Sequence, residues 1–213
     1  YTAGLLIHKF DKNKTVRLIC LIVSLVMNLG LLGVFKYSGF IMQNIDAVFG
    51  TALFDPKHAL PLPIGISFFT FQSMSYTIDM YMRKIKVQKN PISFAAFVTL
   101  FPQIVAGPIV RYDDIAAELD NRTINLDCIY EGILKFITGV GKKVLIANNI
   151  GMLWTSVKGM DEPSALTAWL GIIAFTLQIY FDFSGYSDMA IGLGKMMGFN
   201  FPQNFNYPYQ SKS

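Results

Sequence analysis

From Leu18 to Phe35, between the charges of Arg17 and Lys36, the chain carries no ionisable side chain other than Cys20. A helix needs roughly 20 mostly apolar residues to cross the bilayer core. A run this apolar removes most water-soluble architectures, because a soluble surface helix keeps a polar face. Three further stretches are also free of charge: Ala59 to Ile78, Pro91 to Val110 and Pro163 to Phe181. Composition agrees. Of 213 residues, 53% are hydrophobic and only 15% are charged, against roughly 25% charged in an ordinary soluble domain. That balance excludes a disordered chain, a disulfide-stapled secreted domain and a nucleic-acid-binding arm.

These runs predict an all-α polytopic membrane protein, a multi-helix bundle with kinked or re-entrant segments. Six segments are candidates for membrane crossing: 18–35, 62–81, 91–110, 129–154, 163–181 and 184–199. Pro61 and Pro63 stand near the start of the second, where proline is tolerated. Pro102, Gly107 and Pro108 interrupt the third, so a straight helix through it is not expected. The fourth contains Glu131, Lys135, Lys142 and Lys143. It reads as an interfacial or partly buried helix followed by a short turn. The sixth is short and rich in Gly and Ser, which lets helices approach closely in lipid.

The net charge of +4 sits beside the apolar runs and reads as loop anchoring at a membrane surface, not as nucleic-acid binding. Lys9, Lys12, Lys14 and Arg17 against Asp11 make the first flank +3. The 36–57 loop is neutral, and Arg83, Lys84, Lys86 and Lys89 contribute +4. Basic loops stay cytoplasmic, so the N-terminal flank and the 83–89 loop are expected inside and the 36–57 loop outside. Cys20 and Cys128 are far apart and suggest no metal site. The chain opens at Tyr1 without an initiator Met and stops at Ser213 in a polar run, which predicts a fragment of something longer.

Ionisable groups inside membrane segments are functional candidates by default. The richest stretch is Gln178, Asp182, Ser184, Tyr186 and Asp188, between the fifth and sixth runs. Gln178 and Asp182 are one helical turn apart, as are Ser184 and Asp188. The plain reading makes Asp182 or Ser184 the cap of a new helix. The functional reading makes the group the wall of a polar path. Arg111, just after the Gly107-Pro108 break, suits an anionic group such as a phosphate or carboxylate. A snorkelling interfacial arginine is the simpler account. Asp79 ends the second run, where pairing with Arg83 at i+4 is the simple reading. The tail from Asn200 to Tyr209 alternates amides and aromatics and suits a packed interfacial loop. His8 and His58 read as solvated loop residues. No catalytic triad, phosphate loop, dinucleotide motif or metal-spaced cluster is found. The residues alone leave open a transporter or export-channel component, in which the same polar groups line a pore.

Four blocks carry a family resemblance: Leu62-PIGISFFTFQSMSYTIDMY to Tyr81, Leu100-FPQIVAGPIVRYDDI to Ile115, Gly141-KKVLIAN to Asn148, and Leu177-QIYFDFSGYSDMAIGLGKMMGFNFPQNFNYPY to Tyr209. Together they resemble the membrane-bound O-acyltransferase family, in its alginate O-acetyltransferase-like branch, over roughly residues 60 to 213. The resemblance implies an enzyme of the bacterial plasma (inner) membrane, multi-pass, embedded in the lipid bilayer. It implies transfer of an acyl group, commonly acetyl, from acyl-CoA (acetyl-CoA above all) to a polysaccharide acceptor through a periplasmic or extracellular partner protein. Acyl-CoA would be a donor substrate, with no bound cofactor and no nucleic acid. The family's catalytic histidines are expected beyond Ser213, and neither His8 nor His58 matches them. Arg111, Gln178, Asp182, Ser184, Tyr186 and Asp188 would then line the substrate path or support the site.

Overall fold

The computed structural model describes residues 1–50, 61–104, 107, 108, 110–205 and 208–210. Every regular element among the described residues is helical. The chain divides into two units, residues 1–105 with 111–113, and residues 106–110 with 114–213.

The first unit opens with α1 (Thr2–Lys9) and α2 (Lys14–Leu32). Asn13 caps α2 by accepting the Val16 amide at 3.2 Å, which satisfies one of the free N–H groups of the first turn. The helix does not stop at Lys36. It passes through a π-helical stretch, Gly33–Tyr37, into α3 (Ser38–Phe49). The rod runs 36 residues without a break, about 54 Å at 1.5 Å per residue. The loop expected from Lys36 onward therefore begins only at Gly50, which takes the left-handed φ of 64° that ends the helix. Nothing between Lys36 and Phe49 is a proline. Lys36 itself is accommodated, with Nζ 3.4 Å from the Ser67 hydroxyl and over the Tyr37 ring. The rest of the 36–57 loop, His58 and Ala59 lie outside the described residues.

One face of this rod is apolar and open. Ile19, Ile22, Val23, Val26, Met27 and Leu31 are each at least 49% exposed. In water each such side chain would forgo about 1.5–3 kcal/mol of burial. Hydrocarbon around the rod removes that penalty, and the chain is an all-α membrane protein.

Helix α4 (Ile66–Tyr81) turns Thr70, Gln72, Tyr76, Thr77 and Asp79 inward. Tyr76 is fully buried. Its ring meets those of Phe94 and Tyr112 edge-on, at 4.9 and 5.1 Å, the geometry that ring quadrupoles favour. Its hydroxyl accepts the Gln88 amide at 3.0 Å. Two buried amides, Gln72 and Gln103, bond each other at 2.7 Å. Arg17, also buried, donates to the Tyr81 carbonyl and lies over the Tyr81 ring. Helix α5 (Pro91–Thr99) starts with Pro91 behind an Asn90 cap and ends before a 3₁₀ turn, Phe101–Gln103. Pro102 has no N–H to continue it. At about 14 Å, α5 is far shorter than the bilayer core. Val105, Ala106 and Ile109 of the 91–110 segment lie outside the described residues.

Arg83 is not where its i+4 spacing from Asp79 suggests. The helix has ended, Arg83 sits at a φ of 59°, and its guanidinium pairs with Asp11 at 3.1 Å.

Helix α6 (Tyr112–Asp120) begins in the first unit and continues in the second. The second unit is dominated by two antiparallel rods. One is α7 (Leu126–Gly141), a π-helical stretch Lys142–Ala147 and α8 (Asn148–Lys158), continuous from end to end. The turn expected within 129–154 is absent: the π stretch carries the helix straight from α7 into α8 without a loop. The other rod is α9 (Ala165–Met196), an unbroken helix of 32 residues capped at its start by Ser164. The expected break between 181 and 184 does not occur. Asp182 and Ser184 are mid-helix residues, not caps, since no proline intervenes and Ser164 already caps the helix.

Candidate functional site

The two rods touch through glycine. A Cβ on Gly139 would stand 2.5 Å from the Gly185 carbonyl oxygen, and one on Gly185 would stand 2.8 Å from that of Gly139. The same holds for Gly132 and Gly192, at 2.7 and 2.6 Å. Each pair is seven residues from the next on its own helix, two turns, so both contacts fall on one seam. Without Cβ atoms the backbones approach closely, as small-residue seams allow in lipid.

Charge is concentrated on this seam. Asp188, 5% exposed, receives Lys135 at 2.8 Å and Lys142 at 2.5 Å. Six residues earlier on α9, Asp182 pairs with Lys143. Three ammonium groups thus face two carboxylates. Away from this cluster, Lys195 pairs with the more exposed Glu131. Taking such charges out of water is tolerable only because each finds its opposite. The π stretch begins at Lys142, so the two neighbouring lysines both reach α9.

Beside the ions are polar atoms without a protein partner. Gln178 Oε1, Ser184 Oγ and Ser187 Oγ are buried and unbonded among the described residues. Buried polar groups normally find a partner, so these three, Ser184 and Ser187 on one side of α9 and Gln178 on the other, suit contact with water or a polar substrate. Gln178 also opens onto a groove of about 590 Å³, lined by Asn148, Gly151, Thr155 and Ser156.

Across 196 residues, 91% of its length, the chain is 47% identical to the probable alginate O-acetylase AlgI of Pseudomonas aeruginosa, and that stretch is 38% of that protein. The chain belongs to the membrane-bound O-acyltransferase family. It is also 35% identical, over 99% of its length and 45% of the relative's, to a peptidoglycan O-acetyltransferase of Helicobacter pylori. With a teichoic acid D-alanyltransferase of Bacillus subtilis the identity is 28%, covering 74% of the chain and 41% of that protein. No protein-family model matches the chain. It spans 38% to 45% of the length of these curated relatives.

Gln178, Asp182, Ser184, Tyr186 and Asp188 all stand on α9 in the second unit. Asp188 and Ser184 are buried, while Gln178, Asp182 and Tyr186 are half-buried. Arg111 belongs to the first unit and is exposed. His8 is exposed in that unit too. Of the tail, Asn206 and Tyr207 lie outside the described residues. Asn200 binds Glu118 through its amide N–H and its side chain, at 3.0 and 2.8 Å, and Tyr209 donates to the Thr176 carbonyl at 3.2 Å. The sequence reading places Lys135, Lys142 and Lys143 in an interfacial or partly buried helix and does not pair them with the α9 acids. Two signals pointed to them: cations in one apolar helix matching acids in another, and the shared seven-residue spacing of Gly132–Gly139 and Gly185–Gly192.

Proposed function

We propose that this membrane-bound O-acyltransferase moves an acyl group, most simply acetyl, from a CoA thioester to hydroxyls of an exported polysaccharide such as alginate. The observation that carries this reading is the 46–47% identity to relatives named alginate O-acetylase. Relatives named for acyl transfer to peptidoglycan and to teichoic acid support the same chemistry on envelope polymers. The enzyme sits in the bacterial inner membrane with several crossings and hands the acyl group to a partner protein outside or to the polymer itself.

The reaction is acyl substitution. A base takes the acceptor proton, the oxygen attacks the thioester carbonyl, and the thiolate leaves as the tetrahedral intermediate collapses. Donor and acceptor lie on opposite sides of the bilayer, so the protein must keep a polar passage through hydrocarbon. The α9 face is suited to that task. Gln178 and Tyr186, about 80° apart around the helix, offer hydrogen bonds along it. Asp188, fixed by Lys135 and Lys142, and Asp182, fixed by Lys143, hold its wall in register. Arg111 receives the phosphates of the donor, for which a planar guanidinium is well shaped. The general base is a histidine other than His8 and His58.

The test is radiolabelled acetyl transfer from acetyl-CoA in membranes carrying the full-length protein. Label is expected in envelope polysaccharide, with at least a tenfold loss in Asp188→Ala at equal membrane abundance. Absence of transfer by the wild type would sink the activity. Undiminished transfer by Asp188→Ala would remove α9 from the site.

A further inference from the structure

In the first unit, the end of α4 and the segment after it enclose, with α1, a cavity of about 450 Å³. Its walls are of two kinds. Ile7, Met80 and Val87 line it with hydrocarbon, and His8, Arg83, Lys86 and Lys89 surround it with positive or protonatable groups. Only Asp11 supplies a carboxylate to this lining, and it is taken by Arg83 and Arg17. Among the described residues, no carboxylate pairs with Lys86 or Lys89.

The backbone of Arg83 adds an independent observation. Its φ of 59° is the one positive value among the described non-glycine residues. It occupies the position after the helix C-cap, where the Arg83 amide bonds the Met80 carbonyl at 3.2 Å and the Lys84 amide bonds that of Asp79 at 3.0 Å. Glycine is the usual residue there, because a side chain is strained in that conformation. A strained residue that is kept in place points to a use for its side chain. Arg83 lines the cavity and, through two bonds to the Asp11 carboxylate, ties α1 to its rim.

We propose that this cavity binds the phosphate group of an anionic phospholipid, with the glycerol and first methylenes on the apolar floor. The pairing of a hydrocarbon floor with an unneutralised cationic rim selects an amphiphile over a free inorganic anion. Basic pockets beside membrane helices hold lipid headgroups in this way. Lys86 and Lys89 supply the charge recognition, and the Arg83–Asp11 pair shapes the rim. This site is independent of the acyl-transfer reading.

Native mass spectrometry of the full-length protein in nanodiscs of mixed phosphatidylglycerol and phosphatidylcholine tests it. Phosphatidylglycerol should be retained at least fivefold over phosphatidylcholine. The exposed double substitution Lys86→Gln with Lys89→Gln should abolish that preference without altering the elution of the folded protein, and Lys86→Arg with Lys89→Arg should keep it. Equal retention of the two lipids by the wild type overturns the proposal, as does an unchanged preference in the glutamine variant. Parallel arms with coenzyme A and with inorganic phosphate separate the sources. Charge-dependent binding of either soluble phosphate, with no phospholipid preference, also overturns it.

Discussion

In the first unit the buried polar groups are largely neutral: Tyr76 lies between the rings of Phe94 and Tyr112, and Gln72 bonds Gln103. In the second unit the rods meet through bare backbone at Gly132–Gly192 and Gly139–Gly185, with Lys135, Lys142 and Lys143 bound to Asp188 and Asp182 along the same seam. Rings hold helices apart and fill the gap with apolar contact. Glycines bring helices together, and the short separation keeps oppositely charged side chains within reach. The first arrangement tolerates a change of shape at one ring, because neighbouring side chains can shift. The second does not, because the neighbours are backbone atoms.

The largest expected effect follows from that contrast. Gly139→Leu places a side chain where the Gly185 carbonyl oxygen stands 2.5 Å from even a Cβ. Overpacking of this kind costs about 3 kcal/mol or more, and it would also separate the charges. Loss of monodisperse protein in fluorescence-detected size exclusion is expected, whereas Phe94→Leu in the ring cluster should remain folded. A Gly139→Leu protein as thermostable as wild type would show that the seam is not held by backbone contact.

Next comes the charge layer itself. Asp188→Ala leaves Lys135 and Lys142 facing each other without an acid, and an uncompensated buried charge costs several kcal/mol. The lysines are about one-third exposed, so about 2 kcal/mol is the appropriate scale after solvent screening. Asp182, 42% exposed, should give under about 1 kcal/mol on the same change. Thermal unfolding in detergent ranks the two. Equal shifts would mean that burial does not set the difference.

Much of the helix content was legible from the apolar runs, and Asp182 and Asp188 stood out as candidates because carboxylates are out of place among them. Helix ends were not. Lys36 looked like a boundary, yet one long-stemmed cation can be housed within a helix. Asp182 and Ser184 have the chemistry of caps, but capping depends on whether the helix actually starts there, and Ser164 takes that role. The lysines of the fourth region were misjudged for a related reason. A charge reads as interfacial until its partner is known, and the partner lies far away in sequence: 39 positions for Lys143 and Asp182, 46 for Lys142 and Asp188. Pairing at that distance is a property of two helix faces in register, which the glycine spacing and the matching of cations with acids foreshadow.

The neutral pair of the first unit sharpens the comparison through additivity. Gln72→Leu alone leaves the buried Gln103 amide without its partner, which costs about 1–3 kcal/mol, whereas removing both polar groups together can be nearly neutral. The double variant Gln72→Leu with Gln103→Leu should therefore unfold closer to wild type than either single variant. In the charge layer, Lys142→Leu with Asp188→Leu should not recover in this way, because Lys135 would still lack its acid. Additive losses at the amide pair would indicate that its unbonded atoms, Gln72 Oε1 and Gln103 Nε2, have partners of their own.

The smallest effect is expected at Arg83, where two contributions oppose. Arg83→Gly relieves a left-handed backbone conformation worth about 1 kcal/mol. It also removes a surface ion pair with Asp11, in which both side chains are more than half exposed, worth about 0.2–1 kcal/mol. The net change in stability should lie within about 0.5 kcal/mol of zero, and its sign should depend on salt. Salt weakens the exposed pair but leaves the backbone preference untouched, so the glycine variant should gain on wild type as ionic strength rises. Melting curves at low and high salt measure the crossing. A glycine variant that is markedly less stable at every ionic strength would mean that Arg83 holds α1 by packing of its stem and not by charge, and the rim of the cavity would then be a structural clamp.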